Sequence, residues 1–478
     1  MRISKGLGRR GAVRAIVAFF ALARAIAWQQ DTPLPTQRLD PLIQKIVSEV
    51  SQERIADILK KLESFETRNT LSDPSQANRG IGAARQWIFD QFKSYSPRLE
   101  VSFDTHIIPK RGRVWKEVEL RNVVAILPGK MAQARERWIL VGGHYDSLNL
   151  RVPQELRGDP AKAAELPAPG VTDDGSGTAC AMECARVLSR YEFDATLVFI
   201  AFAGEEQGLV GARALARRLK EKNQEVQALL NNDIIGSEVS GNGVVDNRRV
   251  LVFSEDPNDS ASRQPARFIS RIAGLYYTET IVDMVFRHDR FGRGGDHTAF
   301  NQQGFPGVRF TTPNENFDNQ HSATDTFAHT SPSYTAKVVR INAATAAALA
   351  LAPRSPLTIR PAARPSVPTA SLASDPAESE SGIQARAQGT GLSRGSGYDA
   401  VLRWEHPAPE PDLAGYIVVM RTTTEPDWQR EIWVGNVREF TLKNTPIDQL
   451  VFGVKSVDRD GHESPVSAYW TQPRPPDQ

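Results

Sequence analysis

Apolar residues along this chain fall into three successive patterns. Between residues 39 and 65 they recur at helical spacing, at Ile43, Ile46, Val47 and Val50 and then at Ile55, Ile58, Leu59 and Leu62, which predicts a helix over 39–65. A second helix is predicted over 81–92, after a loop that holds Thr67-Arg68 and Asp73-Pro74. From residue 118 onward, short apolar runs alternate with helical-period stretches. The runs at 118–127, 138–142, 195–202, 228–235, 250–253 and 308–310 read as strands, and 176–188, 209–220, 265–275 and 334–351 as helices. This alternation predicts an α/β fold with a mainly parallel mixed sheet sandwiched by helices.

Residues 353–381 are rich in Pro, Ala and Ser and read as a linker. Beyond it the period falls to two, with strand-like segments at 400–404, 416–420, 431–434 and 452–457 separated by turn residues such as Asp460-Gly461. That pattern predicts a C-terminal all-β sandwich over 382–474. Its segments LRWEHP, LAGYIVVMR and FGVKSVDRDGHES resemble a fibronectin type III module. The α/β domain is expected over 38–352.

The 478-residue length fits this two-domain reading. The formal net charge of +2 is spread along the chain without a basic block, which argues against a nucleic-acid surface. Lys5, Arg9, Arg10 and Arg14 precede an apolar stretch at 15–27 that closes on Ala25-Ile26-Ala27. This is the layout of a signal peptide over 1–27, cut after Ala27, and predicts export to the periplasm or exterior. The stretch is too short for a comfortable membrane span, so no transmembrane anchor is expected. Cys180 and Cys184 lie four apart on a predicted helix, where a disulfide would be strained, and read as small buried residues.

Chemistry concentrates where apolar runs end or glycine turns begin. His144 and Asp146 in GGHYDS leave a strand end on one face, which suits a histidine ligand oriented by a carboxylate. Asp173 stands in GVTDDGSGTA, where glycines let the chain turn sharply. Glu205 and Glu206 follow TLVFIAFAG as adjacent acids, costly to bury together without a cation. Asp233 interrupts the apolar LLNNDIIG, and His321 stands in NQHSATDT. Singly, each has an ordinary reading: a surface histidine, a helix cap, a solvated acid pair. As a set they are oxygen and imidazole donors suited to zinc. Five donors and a spare Glu exceed what one tetrahedral ion takes. Two ions about 3.5–4 Å apart, sharing a carboxylate, would use them all.

In this order the segments GGHYDS, GVTDDGSGTA, AFAGEEQGLVGA, NNDIIG and HSATDT resemble peptidase family M28, the co-catalytic zinc aminopeptidases and related carboxypeptidases. The resemblance spans roughly 81–351. It implies two Zn2+ ions: His144 and Asp233 on one, Glu206 and His321 on the other, with Asp173 bridging. It implies Glu205 as general base and acid, Asp146 as the group that orients His144, and a cis peptide between Asp173 and Asp174. Gly295-Asp296-His297 resembles a Ser-Asp-His segment that helps form the substrate pocket, with Gly in place of Ser. Arg293, Asp296, His297 and Gln320 are the expected substrate-binding residues, Gln320 standing where some relatives carry Tyr. An insertion at 149–169 is expected to form a surface loop near the site.

The implied function is an exported di-zinc metallopeptidase that removes N-terminal residues from peptides or proteins. A carboxypeptidase or dipeptidase is the first alternative, with Arg293 available for a substrate carboxylate. A single-zinc glutaminyl cyclase and a catalytically dead binding protein are further alternatives, both disfavoured by the complete donor set.

Overall fold

A computed structural model describes residues 39–255, 261–358, 391–395 and 398–469. The expected signal peptide and most of the expected linker lie outside these residues.

The first pattern becomes three helices: α1 (Pro41–Ser48), α2 (Gln52–Glu63) and α3 (Gly80–Tyr95). The continuous helix expected over 39–65 is broken at Glu49–Ser51, where the Ser51 side chain accepts from Arg54 N and caps α2. The break lets both short helices lay their apolar stripes on one core. There follow β1 (Glu100–Ile108), β2 (Val118–Leu127), β3 (Arg137–His144), the short α4 (Pro160–Ala163), α5 (Ser176–Leu188), β4 (Thr196–Phe202), α6 (Val210–Glu221) and β5 (Glu225–Asn232). The domain closes with β6 (Arg249–Ser254), α7 (Arg263–Tyr276), β7 (Ile281–Phe286), α8 (Asp296–Asn301), β8 (Gly307–Thr311) and α9 (Pro332–Leu351).

The eight strands form one mixed sheet in the order β1-β2-β4-β3-β5-β8-β6-β7. Strands β4, β3, β5 and β8 are mutually parallel and central, and β1–β2 and β6–β7 flank them. Alternate residues of β4 face opposite cores. Leu197, Phe199 and Ala201 pack with α5 and α9, while Val198, Ile200 and Phe202 pack under α6 and α8. Parallel neighbours bring their carboxyl ends to one edge, with His144 at the end of β3 beside Phe202 at the end of β4.

Strands β9 (Leu357–Thr358), β10 (Leu392–Arg394), β11 (Ala400–Glu405), β12 (Leu413–Thr422), β13 (Arg430–Gly435), β14 (Glu439–Leu442), β15 (Leu450–Asp458) and β16 (Ser467–Ala468) build the C-terminal domain. They form two separate antiparallel sheets, β10-β11-β14 with β9 on β11, and β13-β12-β15-β16. Trp404, Tyr416, Val418, Phe452 and Val454 fill the core between them. The start of the expected linker is part of this structure. Arg354 is buried, paired with Glu225 at 2.8 Å and Glu410 at 3.2 Å, and β9 begins three residues later. Among the described residues, no helix is long and apolar enough to cross a membrane.

Candidate metal centre

The carboxyl edge of the central strands gathers every metal-ligand candidate. His144 ends β3, Glu205 and Glu206 form the turn after β4, and Asp233 directly follows β5 rather than lying within it. Asp173 stands in the turn before α5. The peptide bond between Asp173 and Asp174 is cis. Glycines make this approach possible: a Cβ at Gly143 would lie 2.3 Å from the Gly177 carbonyl carbon, and one at Gly177 would lie 2.1 Å from the Asn232 oxygen. The start of α5 therefore packs directly on the ends of β3 and β5.

Asp173 is the geometric centre of the cluster. Its Oδ1 lies 3.3 Å from His144 Nε2, and its Oδ2 lies 3.0 Å from His321 Nε2. Two imidazoles 177 positions apart thus face the two oxygens of one carboxylate. His321 Nε2 also lies 3.1 Å from Glu206 Oε1, and His144 Nε2 lies 4.0 Å from Asp233 Oδ1. Donor atoms of His144, Asp174 and Asp233, and those of Asp173, Glu206 and His321, form two groups that could each hold an ion. The donor set is the nitrogen and oxygen mixture that zinc accepts.

Titration behaviour reflects crowded acids. Burial raises Asp233 to about 6, with the Asp173 charge adding and His144 opposing. Burial likewise raises Glu205 well above the usual carboxylate range, and the charges of Asp233, Glu206 and Asp296 reinforce it. For His321, burial acts downward, but hydrogen bonds with Asp173 and Glu206 outweigh it and raise the imidazole to about 11. An ion at these positions would replace those protons as the counter-charge.

The supporting residues refine the expected roles. His144 Nδ1 lies 3.0 Å from the backbone oxygen of Asp146 and 3.6 Å from its carboxylate. The Asp146 carboxylate instead accepts from the backbone N–H groups of Glu205 and Glu206, each at 3.2 Å, and from Thr70 Oγ1 at 3.2 Å. One acid therefore positions both the histidine and the glutamate pair. Asp174, passed over in the sequence in favour of its neighbour, is fully buried and accepts from His144 N, Gly177 N and Ile234 N. Asp325 accepts from Thr172 N and Asp173 N and so fixes the central turn. Its place in the HSATDT segment was the available signal. Arg68 is fully buried behind the cluster, with its guanidinium bound to the carbonyls of Tyr145, Pro169 and Gly170.

The expected substrate residues divide. Gln320 Nε2 donates to Asp173 Oδ2 at 2.7 Å. Asp296, at the first position of α8, is buried, and neither carboxylate oxygen has a hydrogen-bond partner among the described residues. His297 is buried with Nε2 against Asp289 and the His288 carbonyl, both at 3.3 Å, and burial lowers its pKa. The Arg293 guanidinium is engaged by Glu315 at 2.7 Å. The insertion at 149–169 lies against the loop that carries His321, with Leu150 N donating to the His321 carbonyl at 2.9 Å. Cys180 and Cys184 are buried free thiols inside α5.

A parallel-centred sheet that brings histidines and carboxylates to one edge is an α/β fold with groups of donors that could hold metal ions. Residues 122–346 match peptidase family M28. A probable zinc metalloprotease of Pyricularia oryzae is 35% identical over 468 residues, covering 91% of this chain and 85% of that protein. Another, from Leptosphaeria maculans, is 35% identical over 455 residues, covering 89% and 96%. The chain belongs to peptidase family M28. Among solved structures, Legionella pneumophila LapA superposes with a TM-score of 0.51 at 21% identity, covering 66% of this chain and 78% of LapA, a likeness of fold.

Proposed function

We propose that the chain is an exported di-zinc exopeptidase that removes N-terminal residues from peptides. The observation that carries the two-ion reading is Asp173, whose two oxygens face His144 and His321 separately. In this reading His144 and Asp233 would hold one ion, Glu206 and His321 the other, and Asp173 would be shared between them. Ions bound there supply an acidified water and an electrophile for the scissile carbonyl. Glu205, its backbone held by Asp146, takes the nucleophile's proton and returns it to the leaving amine.

Amino-terminal specificity is supported by the charge of the free groups. Among the described residues the Asp296 carboxyl has no hydrogen-bond partner, and burial disfavours its charge and, with it, that of Glu205; a cationic α-ammonium would supply the missing counter-charge. Arg293, the candidate for a substrate carboxylate, is already paired with Glu315. The two antiparallel sheets of the C-terminal domain support the reading of a fibronectin type III-like module, joined to the catalytic domain by ion pairs such as Arg271–Glu431. The test compares an aminoacyl anilide with an N-blocked dipeptide, using metal-depleted and zinc-restored protein. Zinc-dependent turnover of the anilide alone is expected; turnover of the blocked dipeptide alone would assign a carboxypeptidase.

A further inference from the structure

The proposed ligand Asp233 has an unusual neighbour. Arg309 stands on β8, opposite Asn231 of β5, and is fully buried. Its Nη2 lies 3.0 Å from Asp233 Oδ1 and donates to the Asp233 carbonyl at 3.2 Å. Its Nη1 donates to the Gly294 carbonyl at 3.0 Å and lies 3.5 Å from Asp289 Oδ2. Asp289 also faces Arg290 at 2.9 Å and His297 at 3.3 Å. One guanidinium therefore clamps a metal ligand and the turn that leads into α8.

Gly295 leaves room for that clamp. A Cβ there would lie 3.0 Å from Asp233 Oδ2 and 3.4 Å from Arg309 Nη1. With no side chain on the turn, the Asp233 carboxylate is gripped from the sheet. A lone cation beside a metal ligand would oppose the ion it binds. Here Asp289 offsets the Arg309 charge, which leaves orientation as the principal effect.

We infer that Arg309 is a positioning residue for Asp233. It fixes the carboxylate against rotation and ties the ion position at His144 and Asp233 to the 287–295 loop. The inference rests on the two-ion reading. Among the described residues Arg309 makes no hydrogen bond or ion pair to Asp173, Glu206 or His321, so its effect is confined to one ion position.

The test measures zinc affinity of the metal-free chain by competition with a chromophoric chelator. A His321→Ala background isolates the His144–Asp233 position, and a His144→Ala background isolates the other. Arg309→Met and Arg309→Lys are each expected to weaken zinc about 10–100-fold in the first background and to leave the second within about twofold. Lysine keeps the charge and the buried packing but cannot bridge two acceptors as a fork does, so it guards against a misfolded methionine variant. Wild-type affinity in the lysine variant, tighter binding, or equal loss in both backgrounds would overturn the inference. Failure of the unsubstituted chain to bind zinc would overturn the two-ion reading along with it. Normal zinc binding that is insensitive to Arg309 would overturn this inference alone.

Discussion

At the junction of the two domains, four charges are matched two against two. At the strand ends of the catalytic domain, acids outnumber cations. In the first cluster Arg271 meets Glu431 at 2.9 Å and Glu463 at 2.7 Å, and Lys455 meets the same acids at 2.8 and 2.6 Å. In the second, Asp146, Asp173, Asp174, Glu205, Glu206, Asp233, Asp296 and Asp325 gather around two imidazoles, with Arg68 and Arg309 behind. The carboxyls respond in opposite ways. Burial would raise Glu431, but Lys455 and Arg271 overcome it and hold it low. Burial prevails at Glu205 and Asp233 and holds both high. A charge cluster that closes on itself joins surfaces, whereas one that is short of cations is built to receive them.

Breaking each cluster should therefore produce different losses. The largest effect is expected from Asp173→Ala, which removes the proposed shared ligand: metal content and peptidase activity should both fall to background. Next is Glu205→Gln, which should lower kcat by about 10²–10⁴ while metal content stays at two per chain. Near-normal turnover in that variant would remove Glu205 from the mechanism. On the balanced side, Lys455→Met leaves Glu431 and Glu463 short of a partner. It should destabilise the fold by about 3 kcal/mol, read from denaturant unfolding, with activity per folded molecule unchanged. A loss of zinc in that variant would erase the distinction between the clusters.

The smallest effect concerns His462, whose ring lies 2.8 Å from Asp458 and 2.9 Å from Asp40 of the catalytic domain. Burial opposes its charge, but the two acids raise the imidazole to about 9. The folded state thus favours the protonated ring. Its contribution should be complete below about pH 6.5 and vanish as pH rises through about 9. The Tm deficit of His462→Ala, a few degrees at pH 6, should shrink toward zero at pH 9.5. A deficit that grows with pH would contradict the pairing.

The sequence revealed the centre of the site more fully than its supports. His144, Asp173, Glu206, Asp233 and His321 stand out because polar donors end apolar runs or adjoin glycine turns, a combination that burial alone does not explain. Edge strands were harder to see. At the sheet edges β1 has only Asp104 and Ile108 buried and β7 has no buried residue, so neither presents the buried apolar run of the central strands and neither was expected. Asp174 was hidden by its neighbour, since adjacent acids do not declare which one turns inward. Arg309 did leave a trace in the sequence: an arginine within the fully buried strand GVRFT needs an anionic partner, and Asp233 and Asp289 are those partners. Asp146 was legible as a supporting acid but not as the anchor of the glutamate turn, because that contact joins β3 to β4 across 59 residues.

The central claim is that the acid-rich cluster is completed by two divalent cations. Calorimetric titration of metal-free protein with zinc, run at neutral pH in buffers of different ionisation enthalpy, tests it directly. Two ions per chain are expected, with net proton release as His321 gives up its proton to bind metal. Saturation at one ion or none, or binding without proton release, would contradict it.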